Sequence, residues 1–385
     1  MARRIRRDAA ILYPAVGSQF VASTGAFVLP FVVGALISGA GFNEQSAGFL
    51  ISFEAIAAAV TTLALSASTF RRSRRRFALI GAALAIAGNA GALISPDLIL
   101  LVAARLATGI GAGIVVSEAA AVVARAIDRE RLISAITIAM ILNGSIWLYV
   151  IPSLPRELGY RGPYLVMLLT CFAGMFLLRR LPAPPVRRAA AAPGASPGRP
   201  TLGLAVLPAV FLTQLGQGSF WALVAIYGTR AGLDDERIGA FLSLATLLLL
   251  VGVVGTAVTG TRLGRFAPLF VLTIINAVSI VAIAFAQDPT VYVAANVVQA
   301  ATNLSSLVYQ LGLVAAVDRS GRSFAAANGL AALGNGVGPA IAGSLSLYFG
   351  APSVGVAVAF FNLAALALYA VVGVGVARKT VALRA

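Results

Sequence analysis

The feature that most constrains this chain is a series of twelve apolar stretches, each close to 20 residues or longer, separated by short polar segments. A helix needs about 20 apolar residues to cross the roughly 30 Å hydrocarbon core of a bilayer. The chain is 59% hydrophobic and only 11% charged, whereas about 25% of residues are charged in an average soluble domain. We therefore predict an all-α membrane protein with twelve transmembrane helices, at 11–37, 47–69, 77–94, 98–125, 132–152, 162–178, 203–229, 238–260, 267–286, 290–316, 324–348 and 352–376.

Basic residues are concentrated in alternate loops. If the N-terminus is cytoplasmic, 24 Lys and Arg fall on the cytoplasmic side, four fall on the opposite side, and Arg105 lies within a span. Because cytoplasmic loops carry an excess of Lys and Arg, we predict a multi-pass protein of the bacterial inner membrane with both termini in the cytoplasm. The basic start is interpreted as the flank of a retained first span, since the apolar stretch behind it exceeds the roughly 7–15 residues of a signal-peptide core.

The net charge of +16 could also suggest a nucleic-acid partner. The arginines, however, are spread over short loops and form no clustered basic face once the spans are assigned. We therefore expect a lipid bilayer and no nucleic acid as partner, and we expect a monomer.

A Pro/Gly/Ala-rich segment without apolar periodicity interrupts the series after the sixth span. Such a composition is typical of a semi-extended linker. We predict an N-terminal six-helix bundle at 1–178, a cytoplasmic linker at 179–201 and a C-terminal six-helix bundle at 202–385.

The two halves resemble each other. Segment 41–52 aligns with 232–243, a Pro-Ala-Val triplet recurs in the first and seventh spans, and an Asn-Gly pair recurs in the fifth and eleventh, at offsets of 191 to 194. Matches in the same order at one offset indicate duplication of a six-helix unit, as in transporters built from repeats.

On these features the chain resembles the major facilitator superfamily. Its fourth span contains an R-x-x-x-G-x-G-x-G pattern formed by Arg105, Gly109, Gly111 and Gly113, and its eleventh contains a glycine-rich G-P-x-x-x-G pattern. The resemblance implies a fold of two pseudo-symmetric bundles, with the first, fourth, seventh and tenth helices lining a cavity. The loop after the second span departs from the family's G-x-x-x-D-R-x-G-R-R pattern, because Ser66, Phe70 and Ser73 replace its two glycines and its aspartate.

Glycines let membrane helices pack closely and slide. We predict a helix-packing and gating role for the residues Gly109, Gly111, Gly113, Gly334, Gly338, Pro339 and Gly343.

Three ionisable residues lie within spans: Glu54, Arg105 and Glu118. Such residues are costly in a membrane and are candidates for function. Glu54 and Arg105 each stand seven residues into an inward-running helix, about 10 Å below the outer surface, so they can pair. We leave open a static ion pair, a proton switch, and no contact. For Glu118 we favour a structural pair with a loop arginine such as Arg71 or Arg125, and coupling is the alternative.

Polar side chains recur at helical spacing in three spans. Amides facing lipid would lack hydrogen-bond partners, so these faces should point inward. We predict a solute cavity, with hydrogen-bonded helix packing as the alternative. The candidates are Gln19, Ser23, Phe27, Gln214, Gln217, Trp221, Asn296, Gln299, Asn303, Ser306 and Gln310.

Histidine is absent and Cys171 is the only cysteine, so we expect no metal site, no cofactor and no catalytic residue. The expected function is secondary transport of a small neutral, weakly acidic or amphipathic solute by alternating access, driven by a proton gradient, with export of drug-like compounds or metabolites favoured. Uptake of a small nutrient and a non-transporting sensor are the alternatives.

Overall fold

The computed structural model describes residues 2–67, 73–123, 126, 128–154, 156–181, 200–259, 264–317 and 322–382. These residues form twelve α-helices and no β-strand. The helices are α1 Ala2–Ala40, α2 Glu44–Ala67, α3 Arg74–Ile94, α4 Leu98–Val123, α5 Arg129–Val150, α6 Arg161–Leu178, α7 Pro200–Arg230, α8 Asp235–Thr259, α9 Phe266–Ala284, α10 Pro289–Val317, α11 Arg322–Phe349 and α12 Pro352–Ala382.

Each of the twelve helices contains a segment that is long and apolar enough to cross a membrane. The prediction of an all-α, twelve-span membrane protein is therefore confirmed. Several helices are longer than their apolar cores, because polar residues outside the core continue or cap them. For example, α2 begins at Glu44, where the side chain of Asn43 accepts a hydrogen bond from the Ser46 amide at 2.8 Å in the manner of an N-cap.

The chain forms two compact units. The first comprises Met1–Arg188 and Asp235–Leu247, and the second comprises Ala189–Asp234 and Leu248–Ala385. The first half of α8 thus packs with α1–α6, where a Cβ on Gly239 would lie 2.6 Å from the carbonyl oxygen of Leu148. The division by chain order at 179–201 stays a prediction, and 182–199 of the proposed linker lie outside the described residues.

Glycine contacts bring helices of the first unit together. A Cβ on Gly17 in α1 would lie 2.7 Å from the carbonyl oxygen of Gly174 in α6, and a Cβ on Gly81 in α3 would lie 2.8 Å from that of Gly111 in α4. No real Cβ sits that close to a backbone atom, so these two helix pairs depend on glycine.

In the second unit the corresponding contact joins α7 to α11. A Cβ on Gly218 would overlap the carbonyl of Asn335, and one on Gly338 would overlap the amide of Ser219. The Ser219 hydroxyl also donates to the Gly338 carbonyl at 3.0 Å. These two helices therefore pack backbone to backbone.

Asp288 caps α10 from the connection that precedes it. Its carboxylate accepts hydrogen bonds from the amides of Thr290 and Val291, at 2.7 and 3.3 Å. Hydrogen bonding by the Thr290 side chain, and then by these amides, lowers the pKa of the Asp288 carboxyl below its ordinary value, because the bonds favour the ionised form. The cap is therefore in place at neutral pH.

Candidate functional site

Arg105 and Glu54 form an ion pair inside the first unit. The Arg105 Nη1 donates to the Glu54 Oε2 at 2.8 Å. The Arg105 side chain is 1% exposed, and that of Glu54 is 20% exposed. Glu54 and Arg105 thus form the pair that their matched depth allowed. Of the two side chains, only the Glu54 carboxylate is accessible.

Two further residues hold the guanidinium. Its Nη2 donates to the Asn89 Oδ1 at 3.0 Å, and its Cζ lies 4.6 Å from the centre of the Tyr164 ring. The Asn89 amide in turn donates to the Ala85 carbonyl at 3.0 Å and to the Cys171 Sγ at 3.5 Å. Residues of α2, α3, α4 and α6 thus meet in one buried polar cluster, which we call the Arg105 cluster: Glu54, Asn89, Arg105, Tyr164 and Cys171.

The Arg105 cluster retains unused hydrogen-bonding capacity. The Arg105 Nε and the Tyr164 hydroxyl are buried without a hydrogen-bond partner among the described residues. On the other side of the cluster, a Cβ on Gly25 of α1 would lie 3.1 Å from the Glu54 Oε1. The glycine thus leaves the second carboxylate oxygen close to the backbone of α1.

Three members of this cluster were not predicted from the sequence: Asn89, Tyr164 and Cys171. A signal for Asn89 exists, because it is an amide within an otherwise apolar span and such residues need a partner in a membrane. Tyr164 and Cys171 are compatible with ordinary apolar packing, so nothing in the sequence singles them out.

Glu118 lies in a second ion pair near the other end of α4. Its Oε2 accepts from the Arg74 Nη1 at 3.0 Å, and its side chain is fully buried while that of Arg74 is 19% exposed. The loop arginines named as possible partners, Arg71 and Arg125, lie outside the described residues. The observed partner, Arg74, is the first residue of α3 and lies at one end of the bundle.

The glycine pattern of α4 brings α2 and α3 into close contact with α4. A Cβ on Gly109 would overlap the carbonyl of Glu54, one on Gly111 would overlap that of Gly81, and one on Gly113 would lie 2.5 Å from that of Ala58. Gly109 and Gly113 therefore face α2, and Gly111 faces α3. Because Gly109 touches the backbone of Glu54 itself, it sets the distance between the two charged side chains.

The candidates on α1 lie beside α5. Ser23 donates to the Gln19 carbonyl at 2.7 Å, and a Cβ on Gly144 would meet the ring of Phe27. One turn away, the Asn143 amide donates to the Thr24 hydroxyl at 3.0 Å. Gln19, Ser23 and Phe27 are all half-buried, so they retain exposed surface.

The polar stripe of α10 divides into two parts. Near its start, the Gln299 amide donates to the Gln217 Oε1 of α7 at 3.1 Å, and the Asn296 amide donates to the Tyr292 carbonyl at 2.9 Å. Gln217 and Asn303 are half-buried, whereas Asn296 and Gln299 are buried. The Gln299–Gln217 bond joins two of the predicted cavity helices.

Further along, Ser306 and Gln310 belong to a buried network. The Thr213 hydroxyl of α7 donates to the Gln310 Oε1 at 3.0 Å, the Gln310 amide donates to the Ser306 hydroxyl at 3.1 Å, and Ser306 pairs with Thr273 of α9 at 3.2 Å. For these two residues the observed contacts are those of hydrogen-bonded packing between α7, α9 and α10.

The remaining candidates lie on α7 and α11. Gln214 is buried and Trp221 is half-buried. A Cβ on Gly334 would lie 2.6 Å from the carbonyl of Phe211, so this glycine, like Gly338, touches the backbone of α7. Pro339 lies inside α11, and both it and Gly343 are buried.

Within the described residues no group of three or more His, Cys, Asp or Glu side chains could hold a metal ion. The polar groups that converge are instead two arginine–carboxylate pairs in the first unit, and amides and hydroxyls in the second.

Comparison with known proteins extends this description. The family model for the major facilitator superfamily matches residues 15–309. No curated protein sequence matches the chain.

Three solved structures share the fold. A variant of the nucleoside transporter NupG has a TM-score of 0.74 at 14% identity, over 94% of this chain and 99% of that one. The human organic anion transporter MFSD10 has a TM-score of 0.63 at 18% identity, over 94% and 99%. A bacterial homologue of the iron transporter ferroportin has a TM-score of 0.70 at 16% identity, over 96% and 98%. With its twelve spans and a family match over most of its length, the chain belongs to the major facilitator superfamily of membrane transporters.

Proposed function

We propose that this protein is a proton-coupled secondary transporter that exports a small neutral, weakly acidic or amphipathic solute by alternating access. The observation that carries the proposal is the Arg105–Glu54 pair, in which a buried guanidinium is balanced by a carboxylate that is 20% exposed. A carboxylate that is both paired and reachable can exchange its partner for a proton. No catalytic role is assigned to any residue.

The proposed switch uses the contacts of the Arg105 cluster. Protonation of Glu54 removes its negative charge and weakens its bond to the Arg105 Nη1. Arg105 then keeps the Asn89 amide oxygen and the Tyr164 ring as neighbours, so it stays in place with a free donor for solute or for another carbonyl. Glu118 is the second candidate for coupling, although its bond to Arg74 is the kind expected of a structural pair.

The nature of the solute follows from the polar groups available. The half-buried candidates carry amides, a hydroxyl and aromatic rings, and among the described residues Arg105 is the one Lys or Arg whose side chain is buried. Anions with several charges need several cations, which favours a neutral or weakly acidic solute. The solved neighbours act on nucleosides, organic anions and iron according to their names, a range too broad to choose among solutes.

The proposed orientation is that of a monomer in a bacterial inner membrane with both termini in the cytoplasm. It rests on the distribution of Lys and Arg between alternate loops. Ser196→Cys in a Cys171→Ala background tests it. Labelling should require a membrane-permeant reagent, and labelling of intact cells by an impermeant reagent would contradict this topology.

A proton-flux assay tests the function. Purified protein is reconstituted in vesicles that contain a pH-sensitive dye, and a panel of compounds, first selected by their effect on thermal stability, is added outside. We expect at least one compound to cause proton movement with the wild type and none with Glu54→Gln. That variant should still exchange solute across the membrane, since exchange needs no net proton movement.

Three outcomes would contradict the proposal. A Glu54→Gln protein that concentrates solute with the pH dependence of the wild type would make Glu54 structural. Proton movement that accompanies solute entering the cytoplasmic side would indicate uptake. Specific binding without any flux would indicate a sensor.

A further inference from the structure

An apolar pocket lies between α8, α9 and α10 in the second unit. Its volume is about 560 Å³, within the roughly 300–1,000 Å³ of typical ligand pockets. Its lining comprises Val251, Gly252, Gly255, Thr256, Ala267, Pro268, Val271, Leu272, Ala301, Ser305 and Tyr309.

The Ser305 hydroxyl in the pocket wall already has hydrogen-bond partners. The Ser305 hydroxyl donates to the carbonyls of Gly252 and Ala301, at 3.0 and 3.1 Å. The pocket therefore presents an apolar surface to a ligand.

The pocket opens on the outer surface of the helices. Val251 and Val271 on its rim are 59% and 54% exposed, and both belong to membrane-spanning segments. An exposed valine at the rim of an apolar pocket is suited to contact with hydrocarbon, because a water-filled path through a span is lined by polar groups. What enters the pocket therefore comes from the bilayer.

Two glycines of α8 line the pocket for different reasons. A Cβ on Gly252 would lie 2.5 Å from the carbonyl of Ala301, so this glycine permits α8 and α10 to approach each other. A Cβ on Gly255 would meet no heavy atom within 4 Å. A glycine inside a helix is less favourable than an alanine, and at Gly255 no close packing requires one. What Gly255 does is keep the pocket open.

Arg265 places a positive charge at the end of the pocket nearest the membrane surface. Arg265 is exposed and immediately precedes α9, whose span begins at Phe266. Ala267 to Leu272 follow within about 10 Å of that boundary, at 1.5 Å per residue. Arg265 is therefore at headgroup depth, while the pocket is at the depth of the upper acyl chain.

We propose that this pocket binds one acyl chain of an anionic phospholipid, with its headgroup phosphate near Arg265. The chain would fill the space left by Gly255 and Ala267, and the guanidinium would favour an anionic headgroup over a zwitterionic one. None of the candidate solute-cavity residues lines this pocket, and lipid binding here would make the stability of the second unit depend on lipid composition.

The test compares lipids on the full-length protein after delipidation in detergent. Thermal unfolding is measured with phosphatidylglycerol, with phosphatidylcholine carrying identical chains, or with hexadecane, which has no headgroup. For the wild type we expect phosphatidylglycerol to raise the unfolding temperature more than the other two.

The matched variants are Gly255→Leu and Gly312→Leu. A Cβ at Gly312 in α10 also meets no heavy atom within 4 Å, but Gly312 does not line the pocket. Gly255→Leu should lose the shift caused by phosphatidylglycerol and Gly312→Leu should keep it. Arg265→Gln should reduce that shift to the value seen with phosphatidylcholine. If Gly255→Leu does not fold, Ala267→Leu fills the same space from α9 and decides the question.

A wild-type shift in both Gly255→Leu and Ala267→Leu would overturn the proposal. Equal shifts with the two phospholipids, or an equal shift with hexadecane, would also overturn it, because chain packing alone would then account for the effect.

Discussion

The first half of the chain, α1–α6, and the second half, α7–α12, bury polar groups of different kinds. Among the described residues, the buried charged side chains are Arg105 and Glu118, both in the first half. Amides and hydroxyls are buried in both halves, but in the second half they are the only buried polar side chains among the described residues, for example Gln299, Ser306 and Gln310. A pair of charges responds to a proton, whereas a network of neutral groups does not. Under the proposed function the two halves would therefore have different tasks, with energy coupling in the first half and neutral polar contacts in the second.

Removing one charge from the first half should have the largest effect. Arg105→Ala leaves Glu54 without its partner, and breaking a buried ion pair costs about 3–5 kcal/mol in the free energy of unfolding. Transport should be lost as well. Arg105→Lys should recover only part of both, because an ammonium lacks the planar fork that contacts Glu54 and Asn89 together.

The matched variant in the second half is Gln310→Leu. It removes the hydrogen bonds that Gln310 makes with the hydroxyls of Thr213 and Ser306, each worth about 0.5–1.5 kcal/mol. Thr213 still donates to the Val210 carbonyl, and Ser306 keeps its bond to Thr273. Denaturant unfolding of both variants in the same detergent measures the contrast. Equal destabilisation by Arg105→Ala and Gln310→Leu would remove the distinction between the halves.

Backbone packing provides a second contrast. Gly218→Ala forces a methyl group into the Asn335 carbonyl of α11, and overpacking of this kind costs about 1–3 kcal/mol. Gly25→Ala in α1 meets the terminal methyl of Met167 at 2.8 Å and the Glu54 Oε1 at 3.1 Å, which are ends of flexible side chains. We expect it to unfold less readily than Gly218→Ala but to alter the pH dependence of transport. A Gly25→Ala protein with unchanged pH dependence would contradict the role given to Glu54.

The Gln299–Gln217 bond tests whether the second half contacts solute. Gln299→Leu and Gln217→Leu should each weaken solute binding about tenfold, the equivalent of one ordinary hydrogen bond, and leave the pH dependence of transport unchanged. The double variant should show non-additivity, since the two amides contact each other. Variants that unfold while any surviving protein binds solute normally would assign this pair to packing.

The smallest effects concern Tyr164. Because its hydroxyl has no hydrogen-bond partner among the described residues, Tyr164→Phe should change stability and transport very little. Tyr164→Leu removes the ring that lies 4.6 Å from the Arg105 Cζ and should cost about 0.5–2 kcal/mol. Thermal unfolding of the two variants separates the ring from the hydroxyl, and a larger loss with Tyr164→Phe would be the opposite of what we expect.

The twelve spans could be predicted because the bilayer imposes a length and a composition on each helix. The helix ends could not be predicted in this way, because polar residues outside the apolar core decide them. For example, α12 continues to Ala382, beyond its predicted end. The possibility of a Glu54–Arg105 contact could be predicted from the matched depth of the two residues in the membrane. Which neighbours complete it depends on how each helix is rotated, and that information lies in contacts between distant segments, as with Asn89 and Tyr164.

The same limit applies to the stripe of α10. Its spacing correctly places the polar residues on one face, but spacing does not show what that face meets. Gln310 meets Thr213 of α7, and Ser306 meets Thr273 of α9. Threonines are too common in spans to indicate a partner.

The close packing of α7 against α11 has a consequence for biosynthesis. Ser219 and Gly338, which it joins, are 119 residues apart in the chain. Ribosomes add about 5–20 residues per second, so α7 waits roughly 6–24 s for its partner to emerge. During that interval the glycine face of α7 is covered by lipid or by a passing helix of the insertion machinery. Slower translation of α8–α10 would lengthen this exposure, and the yield of folded protein should then depend on codon choice in that stretch.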